Sequence, residues 1–287
     1  MNCVKLVNKT ERVTTRHNMV QQHRRTILIE TVQAGVIRSL FESLKDILQD
    51  CNMCFSPSGA TICAMDGAHV ALVNMFIDAS KIERFQCDTQ EIIGVNVSTM
   101  IGCLKPVGSF DTLCLEVFEH QPDIMKISIT NTEKKRVHQY DVKLIDIDCD
   151  MLEIPDKDFP CVITIPSTDL HHIVRDLHHI GEKIQIQSTE NDLNMSTSGD
   201  QASLTVSLKQ SVEGFACEIS EATEINNTFS AKYMQFFSKA SNLSNWVEIY
   251  LSQDYPMTIK YNVASIGHLQ FCLAPCIEDQ DEDVGVA

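Results

Sequence analysis

The chain has 287 residues, 44% hydrophobic and 22% charged, with a net charge of −16 at pH 7. The length suits one large domain or two ordinary ones, and the composition is that of a soluble globular protein. There is no run of about 18 apolar residues and no apolar signal core, so neither a membrane span nor secretion is expected. The acidic balance also argues against an overall basic, phosphate-binding surface.

In chain order, residues 1–26 come first, with Lys5, Lys9, Arg12, Arg16, Arg24 and Arg25 against Glu11, a net of +5. They read as a disordered basic arm. The segment GVIRSLFESLKDIL follows, with Val36, Ile37, Leu40, Phe41, Leu44 and Ile47 at the spacing of a helix with one buried face. STMIGCLKPV is a second, short helix, with Ser98 as N-cap and Pro106 at its end. STDLHHIVRDLHHIG is a third, with Ser167 as N-cap, Asp169 in the first turn and Gly181 just past the end. SAKYMQFFSKASNL is the fourth.

The segments between them read as short strands: MCFS, TICAMD, HVALVNMFI, LCLEVF, IMKISITN, VHQYDVKLIDI, CVITIP, KIQIQS, LNMSTS, ASLTVSL, WVEIYLS, MTIKYNV and LQFCLA. Several alternate apolar and polar residues, as a sheet with one wet face does. The twelve cysteines are scattered. Cys51 and Cys54 make the one CxxC, with no second pair at zinc spacing, and the thiols read as reduced in cytoplasm or nucleus.

The order helix, strand, strand, strand in residues 40–75 returns in residues 173–208, and later helices are again followed by strands. This is a duplication with a period near 130 residues. It predicts an α+β fold of two similar domains, each with two helices on antiparallel sheets. The expected divisions are 1–26, 27–142, an acidic connector at 143–160, a second domain at 161–277, and an acidic tail at 278–287.

The stretch LHHIVRDLHHIGE holds His171, His172, His178 and His179 around Arg175. On a wheel of about 100° per residue, Leu170, Ile173, Val174, Leu177 and Ile180 take one half, and the histidines and Arg175 the other. His172, Arg175 and His179 form a narrow stripe. The i, i+7 pairs stand about 10.5 Å apart along the axis, too far for one ion with zinc–nitrogen bonds of about 2.1 Å. No nucleophile motif accompanies them, so a catalytic base has no partner. A wet face that meets something negative remains.

Helix one carries Arg38 and Lys45, helix four Lys232 and Lys239, and helix two ends in Lys105. One such helix is ordinarily just solvated, and Lys105 also suits a helix C-terminus. Four in a duplicated fold predict a protein that is negative outside and positive on one helical surface, although Glu42 interrupts the stripe of helix one.

From about Ile27 to Asp283 the chain resembles the DNA sliding-clamp family of eukaryotes and their large DNA viruses, proliferating cell nuclear antigen. The resemblance rests on ESLKDIL, AMDGAHVALV, CDTQEIIGVNVSTM, YDVKLIDIDCDMLEIP, RDLHHIG, SKASNLS and GHLQFCLAPCIEDQDED. It implies a homotrimeric ring of six similar domains, helices lining a hole that holds double-stranded DNA, and no chemistry, metal or cofactor of its own. DNA polymerase and other clamp-binding-motif proteins are the implied partners, with a clamp loader. The implied location is the nucleus or, for a viral version, a cytoplasmic replication site.

Carried over by position, the hole-facing residues are Arg38, Lys45, Lys105, His172, Arg175, His179, Lys232 and Lys239. His172 stands where cellular clamps commonly have arginine, and Ser39 and Gly102 where they have lysine. Histidine ordinarily titrates near about 6.5, so part of the hole's charge is expected to depend on pH. The implied partner groove is Met65, His69, Val70 and Leu72, then Leu152, Ile154 and Phe159, then Pro256, Cys272, Ala274, Pro275, Cys276 and Ile277. It takes a short helical turn with aromatic anchors. Cys272 replaces a common tyrosine. Plain core is the rival reading for Leu72 and Phe159.

The implied subunit contact joins residues 136–143, with Tyr140 and Val142, to residues 202–209, with Leu204 and Val206, head to tail. Glu190 replaces a lysine used for modifier attachment, and residues 1–26 have no counterpart. Two rivals are a subunit of a heterotrimeric checkpoint-type clamp and a metal-dependent hydrolase built on the cluster from His171 to His179.

Overall fold

Apolar residues at helical spacing lie mostly in helices and alternating ones in strands, although the first helix stops at Leu44, leaving Ile47 in the turn beyond it, and the strand expected to run to Ile147 ends at Lys143. The computed structural model describes residues 24–148, 152, 157–189, 192–211, 214–219, 225–253 and 255–276. The first half runs β1 (Arg25–Thr31), α1 (Ala34–Leu44), β2 (Asp50–Ser56), β3 (Gly59–Met65), β4 (Ala71–Asp78), a 3-10 turn (Ala79–Lys81), β5 (Arg84–Gln86), β6 (Glu91–Asn96), α2 (Val97–Leu104), β7 (Thr112–Phe118), β8 (Gln121–Asn131) and β9 (Arg136–Lys143). The second runs β10 (Cys161–Pro166), α3 (Ser167–Ile180), β11 (Lys183–Ser188), β12 (Asp192–Ser198), β13 (Ser203–Lys209), β14 (Ala216–Ile219), β15 (Ile225–Ser230), α4 (Ala231–Ser238), a 3-10 turn (Lys239–Asn242), β16 (Trp246–Leu251), β17 (Met257–Val263) and β18 (Gly267–Leu273).

The duplication is complete at the level of strand pairing. The buried ladder Ile29, Leu115, Ile127 crosses β1, β7 and β8 and ends on Tyr140 of β9. Its counterpart, Ile163, Ile249, Ile259, crosses β10, β16 and β17 and ends on Phe271 of β18. Likewise Met53, Ile62 and Met75 oppose one another across β2, β3 and β4, as Ile186, Met195 and Val206 do across β11, β12 and β13.

Three antiparallel sheets result, in the orders β5-β1-β7-β8-β9, β14-β10-β16-β17-β18-β4-β3-β2-β6 and β13-β12-β11-β15. The long sheet crosses the domain boundary because β4 of the first half pairs with β18 of the second. At that seam Val73, Met75, Leu269 and Phe271 are wholly buried, and Phe271 stacks on Phe237 of α4 at 4.6 Å between ring centroids. Gly267 is required there, because a Cβ would strike the carbonyl oxygen of Phe76. Beyond β9 the chain crosses β6, where Ile145 donates to the carbonyl of Gly94 at 2.9 Å. A Cβ on Gly94 would collide with the carbonyl oxygen of Ile145, so only glycine lets the connector lie this close.

Several expectations need correction. Helix α2 starts at Val97, not after Ser98, because Asn96 Oδ1 accepts from Thr99 N at 2.9 Å and is the true cap. Ser167 is the first helical residue of α3 rather than its cap; it is buried in the helix face. The fourth helix tightens after Ser238, so Lys239 lies in a 3-10 turn. The strand expected from His69 starts at Ala71, because Asp66 folds the preceding residues into a turn. β1 begins at Arg25, so Arg25 and Thr26 belong to the first sheet rather than the extension, and β9 pairs through Lys143. Five strands escaped the reading: β1, β5, β6, β14 and β15. Residues 1–23, Ile154, Glu190, Ile277 and the tail lie outside the described residues.

Candidate nucleic-acid interface, partner groove and sheet edges

The apolar stripe of each helix faces the sheets, so its polar stripe faces away. α1 packs on α2, α3 on α4, and α1 meets the turn Lys239–Asn242. Lys45, Lys105, His172, Arg175, His179, Lys232 and Lys239 are all exposed, and Arg38 is half-buried. Three of these cations are held by neighbours. Arg38 donates to the carbonyl of Val107 at 2.7 Å, with Glu42 at 3.6 Å. Arg175 contacts Asp176 at 3.1 Å, and Lys239 joins the two helix pairs through Asp46 at 2.8 Å. Lys232 and Lys239 both lie over the Phe236 ring, at 5.7 and 5.1 Å. Among the described residues, Lys45, Lys105 and Lys232 form no ion pair.

The four histidines of α3 divide by face. His172 and His179 flank Arg175 in the open, whereas His171 and His178 are half-buried. His171 Nδ1 lies 3.1 Å from Ser238 Oγ, which makes it a helix-to-helix contact with α4. The sequence placed His171 and His178 at the flank and gave them no role. Among the described residues no three of His, Cys, Asp or Glu gather where a metal could sit.

On the opposite surface, register builds a row across five strands: Met65, Leu72, Cys272, Thr258 and Tyr250. Met65 is 41% exposed, and Leu72 and Cys272 are half-buried on the outer face, so Leu72 belongs to this row rather than to the core. Phe159 closes one end, with its ring 5.5 Å from Tyr250 and 5.9 Å from Tyr255. His69 and Val70 form the other wall, where Ala274 N donates to the Val70 carbonyl at 3.2 Å. Leu152, Pro256, Pro275 and Cys276 are half-buried, and Cys276 N donates to the Thr228 carbonyl at 2.7 Å.

The wall with His69 has a fixed shape because Asp66 holds it. The Asp66 carboxylate accepts from Ala68 N, Val70 N and Ala71 N, and from the Tyr233 hydroxyl of α4 at 2.5 Å. Burial alone would raise this carboxyl; the four donors outweigh it and hold it below its usual range. His69 accordingly adopts a left-handed φ of 57°. Sequence reasoning missed Asp66, Tyr233, Tyr250, Thr258 and Tyr255. The outward alternation of Glu248 and Tyr250 in WVEIYL was a usable signal for Tyr250. The Asp66–Tyr233 bond spans 167 residues, and no local pattern reports it.

At the sheet ends, among the described residues, β9 pairs with β8 alone and β13 with β12 alone. Tyr140, Leu204, Val206 and Leu208 are half-buried and pack on the core from these edges, while Val142 is buried. By the ladders above, Tyr140 corresponds to Phe271 and Leu204 to Val73.

Comparison with known proteins agrees with this architecture. Residues 27–153 match the N-terminal domain of proliferating cell nuclear antigen, and residues 153–276 match its C-terminal domain. The chain is 34% identical over 255 residues to "Proliferating cell nuclear antigen" of Chaetomium thermophilum, covering 87% of this chain and 97% of that one. It is 35% identical over 254 residues to "Probable DNA polymerase sliding clamp 1" of Paramecium bursaria Chlorella virus 1, covering 87% and 96%. Two consecutive domain matches over a duplicated, four-helix, antiparallel fold settle the family: the chain belongs to proliferating cell nuclear antigen.

Proposed function

We propose that this chain is a DNA sliding clamp: three copies close a ring around duplex DNA and tether a DNA polymerase to its template. The observation that carries this reading is the unequal use of equivalent strands. β4 and β18 are paired within the chain, while their counterparts β13 and β9 each have a free side. Joining them between copies, in the register of Phe271 on Val73, sets Tyr140 against Leu204 and Val142 against Ala202. A head-to-tail contact of this kind closes into a ring when the rotation fits, and it removes two exposed edges. Six similar domains would follow from three copies.

The helix layer supplies Lys45, Lys105, His172, Arg175, His179, Lys232 and Lys239 for phosphates. Arg38 contributes less, since Val107 and Glu42 already engage it. Exposed ion pairs such as Lys239–Asp46 are each worth about 0–1 kcal/mol, so a passing phosphate can displace the carboxylate and then release it. Such weak, sequence-blind contacts permit sliding, because the ring's topology prevents escape. The clamp works by tethering rather than by catalysis, at sites of DNA replication.

The row from Met65 to Tyr250, walled by His69, Val70 and Phe159, fits a short helical turn carrying apolar anchors from the polymerase and other partners. Extension of a primer on circular single-stranded DNA, with and without the clamp and with its loader supplied, tests the reading. Longer products from the cognate polymerase are expected. Products of unchanged length would overturn it.

A further inference from the structure

The loop after α2 and the turn between β8 and β9 are laced into one platform. Asp111 lies at its centre, 1% exposed. Its carboxylate accepts from Gly108 N at 2.9 Å and from Asn131 Nδ2 at 2.5 Å. Asn131 Oδ1 in turn accepts from Lys134 N at 2.7 Å. The Gly108 bond holds the Asp111 carboxyl low against the effect of burial, helped by Asn131, Arg136 and Lys134. Asp111 is therefore an ionised hub that fixes both segments. Lys135 closes the turn with a left-handed φ of 48°.

Two kinds of side chain are exposed on this rigid base. Phe110 is 78% exposed, the most exposed large apolar side chain among the described residues. Lys134, Lys135 and Arg136 are all exposed, and none forms an ion pair among the described residues. The platform continues the helix layer directly. Lys105 closes α2 five residues before Phe110, and Arg38 of α1 reaches the carbonyl of Val107 in the same loop. In the second domain, by the ladders above, Ser244 stands where Phe110 does and Trp246, 43% exposed, where Thr112 does, and the turn at 264–266 holds no cation. The combined aromatic and basic platform is a property of the first domain.

We infer that this platform is a binding site for single-stranded nucleic acid, with Phe110 stacking on a base and Lys134, Lys135 and Arg136 meeting the adjoining phosphates. Stacking on a free aromatic with basic groups along the backbone is how sequence-tolerant single-strand sites are built. A duplex cannot use Phe110 in this way, because its bases are already stacked on one another. The site lies where the α2 end of the helix layer meets the rim. An unpaired strand leaving the proposed ring on that side would meet it. The inference rests on the clamp reading only for that placement.

The test is fluorescence anisotropy of a labelled oligothymidylate of about 20 nucleotides with the full chain, over a range of salt. Phe110→Ala should weaken binding at least about fivefold, and Phe110→Trp should preserve it. Replacing Lys134, Lys135 and Arg136 by Ala should lower the slope of log K against log salt by about 2. Because Phe110 is exposed, its Ala variant should keep the parent's melting midpoint and solution mass. The Phe110 effect should persist when Arg175 and Lys239 are Ala, which separates the platform from the helix layer. Equal oligonucleotide affinity for Phe110→Ala and the parent would overturn the inference. So would Phe110-dependent binding to phosphatidylserine–phosphatidylcholine vesicles without any to the oligonucleotide. Neither result touches primer extension, on which the clamp reading stands or falls separately.

Discussion

At the seam between β4 and β18, Phe271 and Val73 meet fully buried, Asn74 Nδ2 donates to Gln270 at 2.9 Å, and the His268 ring rests 5.7 Å from Phe76. At the edges of β9 and β13, the corresponding Tyr140 and Leu204 remain half-buried, with ladder groups facing outward. The strands are equivalent by duplication, and among the described residues they differ in whether a neighbouring strand lies on their second side. Burial at the seam is therefore a guide to what the open edges lack. The apolar side chains at alternating positions of the two edges already pack on the core of their own chain, and it is the backbone groups of the outer sides that remain open.

The largest effect should come from breaking the sealed joint. Phe271→Ala removes a buried ring stacked on Phe237, and should lower unfolding stability by about 3–5 kcal/mol in a urea titration. Next is the open joint: Tyr140→Asp should leave the circular dichroism of the chain unchanged while reducing its mass in solution from about three chains to one of 32.2 kDa. A variant that stays folded and keeps the parent's mass would mean that Tyr140 serves only the core of its own chain, and the comparison fails. The helix layer should be independent of both joints. Arg175→Ala combined with Lys239→Ala should preserve the oligomer, weaken clamp-dependent synthesis and reduce its salt sensitivity.

The smallest effect is a sharpening one. Burial, and then Lys260, holds the His268 imidazole below its usual range. The unfolded chain therefore takes up that proton more readily. The stability this group contributes is complete above about 6.5 and is lost as pH falls from there toward the lowered folded value. His268→Gln should flatten that part of the stability–pH curve, as read by melting midpoints between about pH 7 and 5.

Much of this was legible in the sequence where one pattern had one cause. The apolar stripes of α1 and α3 and the period near 130 residues follow from burial on one side, and they located the helix layer with its cations. β1, β6 and β15 were missed for separate reasons. RTILIET has only the short apolar run Ile27, Leu28, Ile29 beside a basic arm, EIIGVN runs straight into α2, and INNTFS has two asparagines where alternation would help. The groove could be read only in part. Met65 and Leu72 share a row with Cys272 only because the hairpin β3–β4 pairs with β18, distant in sequence, and Asp66 reaches Tyr233 across 167 residues. Charge engagement was legible where it is local, as for Glu42 one turn from Arg38, and hidden where it is not, as for the Val107 carbonyl that Arg38 also meets.

The joint itself offers the most direct measurement. Opposed residues on antiparallel strands lie about 4.5–5.5 Å apart at Cα, within reach of a disulfide. A protein carrying both Tyr140→Cys and Leu204→Cys, oxidised in dilute solution, should run on a denaturing, non-reducing gel as chains linked up to a covalent trimer. Each single variant should remain a monomer on that gel. Absence of the link in the double variant, with the chain folded, would contradict closure of the ring through β9 and β13.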